Sequence, residues 1–433
     1  MSIAIAALLS GLSATSARPM VNFSVPSLAG SSNASHPDGS KFWFPSISIS
    51  TGIKGHVAQH VTLSGDGGGG CQFAGTARQA CEQIIFTRDG GLTWKVTKKI
   101  RNGTSGNFNG YGDLGSWVPP RKGAQTPPGQ FQAIVGCNNC FSKGGGSLVQ
   151  PAYLQTWQDD GITLSLQKSV PIAYRDTPAA FTGMCKYGGG APCGFSTPDQ
   201  SIVRTADGGL LMALYGYAAD GYKNGSLYTT AFYSSSDGGM TWSFASRVDV
   251  TPAMVSVGAG EGPCEPTMAT LADGRVLAAF RPQGGRPLWL AYSSDNGKSW
   301  TDPAAAKGEK AVGSPGSVDA VYAVWPQLLL LSNGALVLAS GRPGIGFWVS
   351  PDADGASWIG CDVEQGRTFD EPCDALMICD CMRARVSQVR RRGRAFEEPS
   401  IRPVGRRARD GHDQLHWDRG GGTRGGDARL RQE

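Results

Sequence analysis

Residues Ser293–Trp300 read SSDNGKSW, and this octet decides the fold because related copies recur along the chain. Thr87–Trp94 (TRDGGLTW) and Ser235–Trp242 (SSDGGMTW) share its pattern of Ser/Thr-x-Asp-x-Gly-x-Ser/Thr-Trp. A fourth copy, Ser350–Trp358, has one inserted residue, and a degenerate fifth, Asp159–Leu164, has leucine in the place of tryptophan. The aspartates of the five copies are Asp89, Asp159, Asp237, Asp295 and Asp354, separated by 70, 78, 58 and 59 residues. This recurrence predicts a repeat architecture.

The chemistry of the octet favours a turn over a ligand site. An aspartate carboxylate accepts hydrogen bonds from nearby backbone N–H groups in a turn, and glycine adopts the left-handed conformation without a Cβ penalty. The tryptophan has a large ring to bury against a neighbouring unit. A calcium loop would need oxygen ligands at alternating positions and a distal glutamate, which the octet lacks.

A second element recurs between the later octets, in Thr205–Leu211, Leu271–Leu277 and Leu331–Val337. Each copy holds Asp-Gly or Asn-Gly between apolar residues, which predicts a hairpin turn of a primed type. Each repeat then supplies two hairpins, or four short strands. The sequence therefore predicts an all-β fold, a β-propeller with five visible blades. A sixth blade would come from the residues after Trp358 or from the two termini.

The N-terminal residues and the cysteines predict a secreted protein or one in an endomembrane lumen. An apolar start followed by small residues up to Ala17 is typical of a signal peptide, and no later apolar run reaches the roughly 18 residues of a membrane span. Several of the 11 cysteines form close pairs, and there are four N-x-S/T sequons. The pairs are Cys71/Cys81, Cys137/Cys140, Cys185/Cys193 and Cys361/Cys373, and the sequons begin at Asn22, Asn33, Asn102 and Asn224. Cys137 and Cys140 lack the second ligand pair of a zinc site, so no metal or cofactor is expected.

The net charge of +5 belongs to the C-terminal tail. Residues 374–433 contain 14 Arg, no Lys and 9 acidic residues, so the rest of the chain is neutral. Such a tail suits a polyanion-binding arm, but its Gly-rich, Lys-free composition is also what a GC-rich gene gives when read out of frame. We prefer the second interpretation and expect no nucleic-acid partner. The predicted organisation is a signal peptide (1–17), a linker (18–39), a propeller (40–373) and this tail (374–433).

The octet resembles the Asp-box of the sialidases (neuraminidases), and residues 40–373 resemble a sialidase domain. The resemblance implies a six-bladed propeller. Gly262–Met268 (GPCEPTM) is similar to the sialidase segment that holds a glutamate, here Glu265, beside the nucleophile. A strand later Arg281, and one blade later Arg342, would bind the substrate carboxylate. Both arginines follow the Asp-Gly or Asn-Gly turn of their blade at a similar offset, which places them at equivalent strand ends.

The resemblance also implies a mechanism. A sialoside carries a carboxylate, which arginine forks bind and which repels a carboxylate nucleophile, so sialidases use tyrosine. Asp66, in Ser64–Gly67, is the expected acid/base residue, although a Gly-rich surface turn explains it nearly as well. Strand-end charge is the alternative explanation for Glu265, and ordinary salt bridges are the alternative for Arg281 and Arg342.

Two departures from the family pattern keep other functions open. Trp43 stands where the family has the first arginine of the clamp, and no tyrosine follows Tyr322, although the nucleophile should lie in the last blade. The first hypothesis is an exo-sialidase-like glycosidase that acts on a glycoconjugate and has little activity without the tyrosine. The second is a non-catalytic propeller that binds glycans or a protein, because an indole stacks on neutral sugar. The third is a glycosidase that uses the two carboxylates Asp66 and Glu265.

Overall fold

The described part of the chain is almost entirely β-sheet. The computed structural model describes residues 44–62, 82–90, 93, 95–99, 116–121, 126–136, 152–181, 194–195, 202–258, 260–283, 286–310, 321–322, 324–331, 333–341, 346–350 and 352–362. All of them lie in the first of two compact units, Met1–Arg385. The predicted signal peptide, linker and tail lie outside these residues. None of the described helices has the length and hydropathy needed to cross a membrane.

Five sheets follow one another along the chain. Blade I contains β1 (Phe44–Ser50), β2 (Val57–Thr62), β3 (Glu82–Thr87) and β4 (Lys95–Lys99). Blade II contains β5 (Ser116–Val118), β6 (Gln130–Gly136), β7 (Ala152–Asp159) and β8 (Leu164–Pro171). Blade III contains β9 (Ala173–Arg175), β10 (Gly194–Phe195), β11 (Ile202–Arg204), β12 (Leu210–Tyr217), β13 (Thr229–Ser235) and β14 (Thr241–Val248). A short helix, α1 (Pro252–Ser256), follows.

The two remaining blades complete the described fold. Blade IV contains β15 (Cys264–Thr270), β16 (Val276–Arg281), β17 (Trp289–Ser293) and β18 (Ala304–Ala305). Blade V contains β19 (Gly308–Lys310), β20 (Val324–Leu330), β21 (Leu336–Gly341), β22 (Gly346–Ser350) and β23 (Trp358–Asp362). The strands of each blade form antiparallel meanders, except that β9 pairs in parallel with β14 and β19 with β23.

The all-β propeller is confirmed, but the count of six blades is wrong for the described residues, which contain five. The residues after Trp358 were one proposed source of a sixth blade. Of these residues, those up to Asp362 belong to β23 of blade V, which pairs with β22 and β19, and the residues after Asp362 lie outside the described part of the chain. The other proposed source, the chain termini, lies outside the described residues.

Buried apolar side chains fill the spaces between neighbouring blades. One cluster joins blades I and II, and others join II to III, III to IV, and IV to V. The octet tryptophans belong to these clusters. Trp242 of blade III packs with Ile134 of blade II, Trp300 of blade IV stacks on Phe232 of blade III at 4.2 Å between ring centroids, and Trp358 of blade V packs with blade IV. The predicted packing on a neighbouring blade is confirmed for these three; Trp94 is outside the described residues.

The octet aspartates close their turns as predicted. Asp295 accepts hydrogen bonds from the backbone N of Ser299 at 2.8 Å and from the hydroxyls of Ser293 and Ser299 at 2.8 and 2.5 Å. Burial raises the pKa of Asp295, but the hydrogen bonds from Ser299 and Ser293 outweigh it, so the net pKa lies below the ordinary value. Asp89 and Asp237 accept equivalent bonds in their own octets.

In the degenerate fifth copy, the aspartate that closes the turn is not the one assigned from the sequence pattern. Asp160, rather than Asp159, closes this turn by accepting from the backbone N of Thr163 and from its hydroxyl, at 2.5 and 2.8 Å. The carboxylate of Asp159 is fully buried and accepts from Thr51 Oγ1 at 2.6 Å, and its contact with His56 Nδ1 is 2.8 Å. Asp159 therefore joins blade II to blade I.

The Asp-Gly hairpins lie where the sequence predicts them, but their turn type differs. Gly208 has a φ of +87°, whereas Asp207 is not among the positive-φ residues of the described chain. Gly208 N donates to Thr205 O at 2.9 Å, and Thr205 N donates to Gly209 O at 3.0 Å. This is a type I turn followed by a left-handed glycine. The side chain of Asp207 favours this form by accepting from Gly209 N at 3.1 Å and Thr205 Oγ1 at 2.6 Å.

Candidate functional site

The first strands of blades IV and V carry matching irregularities. β15 has a bulge that includes Glu265 and Pro266, and β20 has one that includes Trp325 and Pro326. Proline cannot donate to a sheet ladder, which explains a bulge at each of these positions. Glu265 and Trp325 have φ values of +44° and +56°. Such a backbone costs about 1–3 kcal/mol for a non-glycine residue and is concentrated at functional sites.

Glu265 and Arg281, which the sequence placed together, form a two-point ion pair. Arg281 ends β16, and its Nε and Nη2 donate to Glu265 Oε2 and Oε1 at 2.6 and 2.8 Å. Trp325 N also donates to Glu265 Oε2, at 2.8 Å, so blade V holds the same carboxylate. The two side chains are 9% and 12% exposed. Glu265 is therefore fixed in position and orientation by charge-assisted bonds.

A second carboxylate contacts the same guanidinium. Glu261 Oε2 lies 2.5 Å from Arg281 Nη1, and its side chain is 41% exposed. Burial lowers the pKa of Arg281, but Glu265 and Glu261 outweigh this and hold it above its usual value. Burial also raises the pKa of the Cys264 thiol, which donates to the carbonyl of Arg281 at 3.0 Å. The group of one guanidinium, two carboxylates and a neutral thiol carries a net charge of −1.

Two members of this group, Glu261 and Arg281, line a cavity of about 260 Å³, and Glu265 lies behind Arg281, outside the lining. The cavity is lined by Tyr215, Tyr217, Ser226, Tyr228, Gly260, Glu261 and Arg281. The rings of Tyr217 and Tyr228 stack with centroids 4.5 Å apart, and Tyr215 meets Tyr228 edge-on at 5.2 Å. Tyr215 and Tyr217 are themselves buried, so the cavity has a mixed aromatic and polar lining, which suits a small hydroxylated ligand.

Backbone contacts fix the loop that carries Glu261. Its N–H donates to Pro282 O at 3.2 Å, and its carbonyl accepts from Tyr228 N at 2.7 Å. Gly262 has a φ of +85°, and a Cβ there would lie 2.5 Å from Tyr228 O. Glycine at this position therefore allows the loop to lie close to Tyr228, one of the tyrosines that line the cavity.

The other predicted site residues, Asp66, Arg342 and Trp43, lie outside the described residues, and their roles stay predictions. Sequence reasoning missed the cavity residues Glu261, Tyr215, Tyr217, Ser226 and Tyr228. One signal was available for Tyr215, because it follows Asp207 by the same number of residues as Arg281 follows Asp273. Equivalent offsets place the two residues at equivalent positions of β12 and β16 in adjacent blades.

The octets lie away from this site. In blade IV, Ser293 of the octet pairs with Val276 at the start of β16, whereas Arg281 is at the end of that strand. In blade III, Ser235 pairs with Leu210 at the start of β12, whereas Tyr217 ends it. The octets and the cavity are therefore at opposite ends of their blades.

Comparison with known proteins supports the class of repeat. Residues 195–360 match the BNR repeat-like domain family, and this segment contains three of the octets. The fold and the octets thus define an Asp-box β-propeller, as predicted from the sequence. No curated protein matches the chain.

Similar solved structures share little sequence with this chain. A protein of unknown function from Dyadobacter fermentans is 16% identical, with a TM-score of 0.48 and coverage of 76% of this chain and 85% of that one. The Hadza microbial sialidase Hz136 is 15% identical, with a TM-score of 0.44 over 73% of this chain and 57% of that one. A Penicillium chrysogenum alpha-L-arabinanase is 14% identical, with a TM-score of 0.45 over 74% of this chain and 81% of that one.

Proposed function

We propose that this chain is a glycoside hydrolase of the exo-acting, sialidase-like type, which removes terminal sialic acid or a related sugar from a glycoconjugate. The observation that supports this most is that Glu265, on a strained bulge, is held by Arg281, which lines the tyrosine-containing cavity. A buried carboxylate held by two-point bonds beside a sugar-sized cavity is the kind of preorganised group that glycoside hydrolysis requires.

The division of roles follows from the contacts. Arg281 orients Glu265, and the cavity tyrosines, Tyr215, Tyr217 and Tyr228, supply aromatic surface for a sugar ring. In a sialidase-like reaction Glu265 would take the proton of a tyrosine nucleophile. The tyrosines of this cavity lie on blade III and in the segment before β13, rather than in the last blade, where the resemblance places the nucleophile. We therefore expect slow turnover.

The second function is a glycan-binding propeller without hydrolysis. The mixed aromatic and polar lining of the cavity favours it, because such a lining binds sugars whether or not a bond is cleaved. In this case the ion pair of Glu265 and Arg281 would serve to shape the cavity.

Turnover of 4-methylumbelliferyl glycosides distinguishes these functions. The panel should include the N-acetylneuraminide, hexosides and pentosides, with Glu265→Gln as the test variant. Asp273→Asn is the matched control, because it removes a carboxylate that contacts Arg275 at 2.7 Å in the turn at the other end of blade IV. We expect Glu265→Gln to lower turnover by about 10²–10⁴-fold and the control to leave it unchanged.

Equal turnover in the wild type and Glu265→Gln would contradict the proposed role of Glu265. No turnover, together with binding on a glycan array, would favour the second function. Failure of both assays would overturn both functions.

A further inference from the structure

The donors of Arg281 are already engaged by the protein. Nε and Nη2 donate to Glu265, and Nη1 contacts Glu261. A ligand carboxylate normally binds a guanidinium through two adjacent N–H groups. To bind Arg281 in that way, it would have to compete with one of these two glutamates.

The two glutamates differ in how easily they can be displaced. Glu265 has a 9% exposed side chain and also accepts from Trp325 of the next blade. Glu261 has a 41% exposed side chain, and its carboxylate makes one contact with Arg281 and a 3.7 Å contact with Cys264 Sγ. Its backbone, however, is held by Pro282 and Tyr228. The Glu261 side chain thus occupies the cavity side of Arg281 from a fixed backbone position, and it is the glutamate that a ligand carboxylate would have to displace.

We propose that Glu261 determines the charge of the ligand that this cavity accepts, by occupying on Arg281 the position that a ligand carboxylate would take. This rests on the proposed sugar site and narrows its substrate class: of the two substrates proposed above, a related neutral sugar is preferred over sialic acid and other sugars that carry a carboxylate. An anionic sugar meets a group with a net charge of −1, whereas a neutral ring meets no such electrostatic penalty.

Two ligands that differ only in charge test this directly. The methyl α-glycoside of N-acetylneuraminic acid carries a carboxylate, and its methyl ester is the neutral counterpart. Binding to the full chain is measured by isothermal titration calorimetry for the wild type, Glu261→Gln and Glu261→Ala, with Asp273→Asn as the control for loss of one charge in the same blade. A matched second pair, methyl glucuronide and methyl glucoside, covers a different ring.

We expect the wild type and Asp273→Asn to bind each neutral ligand about tenfold more tightly than its acid, because like charges oppose the acid. Glu261→Gln and Glu261→Ala should abolish or reverse this preference, mainly by strengthening binding of the acids. An unchanged preference in both Glu261 variants, a wild type that prefers the acids, or no binding of either pair would overturn the proposal. Because binding is measured, its outcome is independent of the turnover that tests the proposed function.

Discussion

Replacing Gly297 with alanine would perturb the octet at its contact with the preceding blade. Gly297 has a φ of +87°, and a Cβ at this position would lie 2.5 Å from both δ carbons of Leu211. Leu211 belongs to blade III, is fully buried and is part of the cluster between blades III and IV. The substitution therefore adds backbone strain and an overlap within a packed core.

A second glycine serves as a control that separates the energetic cost of alanine at positive φ from the cost of the overlap with Leu211. Gly238 lies in the octet of blade III, one position before the equivalent of Gly297. It has a φ of +80°, and a Cβ there would have nothing within 4 Å. Gly238→Ala should cost about 1 kcal/mol of unfolding free energy, the penalty for alanine at positive φ. Gly297→Ala should cost about 2–4 kcal/mol, because overpacking adds about 1–3 kcal/mol.

Urea unfolding followed by tryptophan fluorescence measures both losses. A second background, Leu211→Ala, removes the overlapping carbons, so Gly297→Ala should there cost only about the 1 kcal/mol of the backbone term. Equal losses for Gly297→Ala and Gly238→Ala, or the same loss for Gly297→Ala in both backgrounds, would refute the explanation of this glycine by contact between blades.

Three further predictions concern the contacts within and between blades. Asp159→Ala should lower the free energy of unfolding by about 3 kcal/mol, since it removes a buried carboxylate with several partners, whereas Asp160→Ala, in the exposed turn, should lower it by much less in the same urea titration. Because the pKa of Asp295 is lowered in the folded state, its stabilising effect is present above its ordinary value of 3.8 and is lost as the pH falls through the folded value. Asp295→Asn should therefore show a smaller drop in melting temperature between pH 7 and pH 2 than the wild type, and an identical drop would contradict the assigned hydrogen bonds from Ser299. Trp242→Ala should cost about 4 kcal/mol in chemical denaturation, because its fully buried ring fills the space between two blades, and a loss below about 1 kcal/mol would be inconsistent with that packing.

The sequence predicted the features that depend on local chemistry. Asp295 and its equivalents close turns with neighbouring hydroxyl and backbone groups, so a pattern of eight residues is enough to identify them. The same pattern supplied the register that led to Glu265 and Arg281. The sequence placed both residues in one blade, in which β15 and β16 are adjacent strands, but it gave them separate roles and did not predict the ion pair between them.

The features that it missed depend on contacts between blades. Nothing local distinguishes Asp159 from Asp160; the difference is that one carboxylate meets Thr51 of another blade. The cavity combines the tyrosines of blade III with the loop of Gly260 and Glu261 that leads into blade IV, so it required the packed structure. A signal for the bulges was nevertheless present, because proline at positions 266 and 326 is unfavourable inside a regular strand.

Because β9 pairs in parallel with β14, the repeat seen in the sequence and the unit that unfolds cooperatively have different boundaries. β9 follows blade II in the chain but is hydrogen-bonded to blade III, and Tyr174 of β9 pairs with the octet residue Trp242. β19 stands in the same relation to blade V, where Gly308 pairs with Trp358. A blade excised at its sequence boundaries would therefore lose its outermost strand and expose an unpaired edge. Amide hydrogen exchange should find β9 opening together with β14 rather than with β8, so that each such strand links the unfolding of one blade to that of the next.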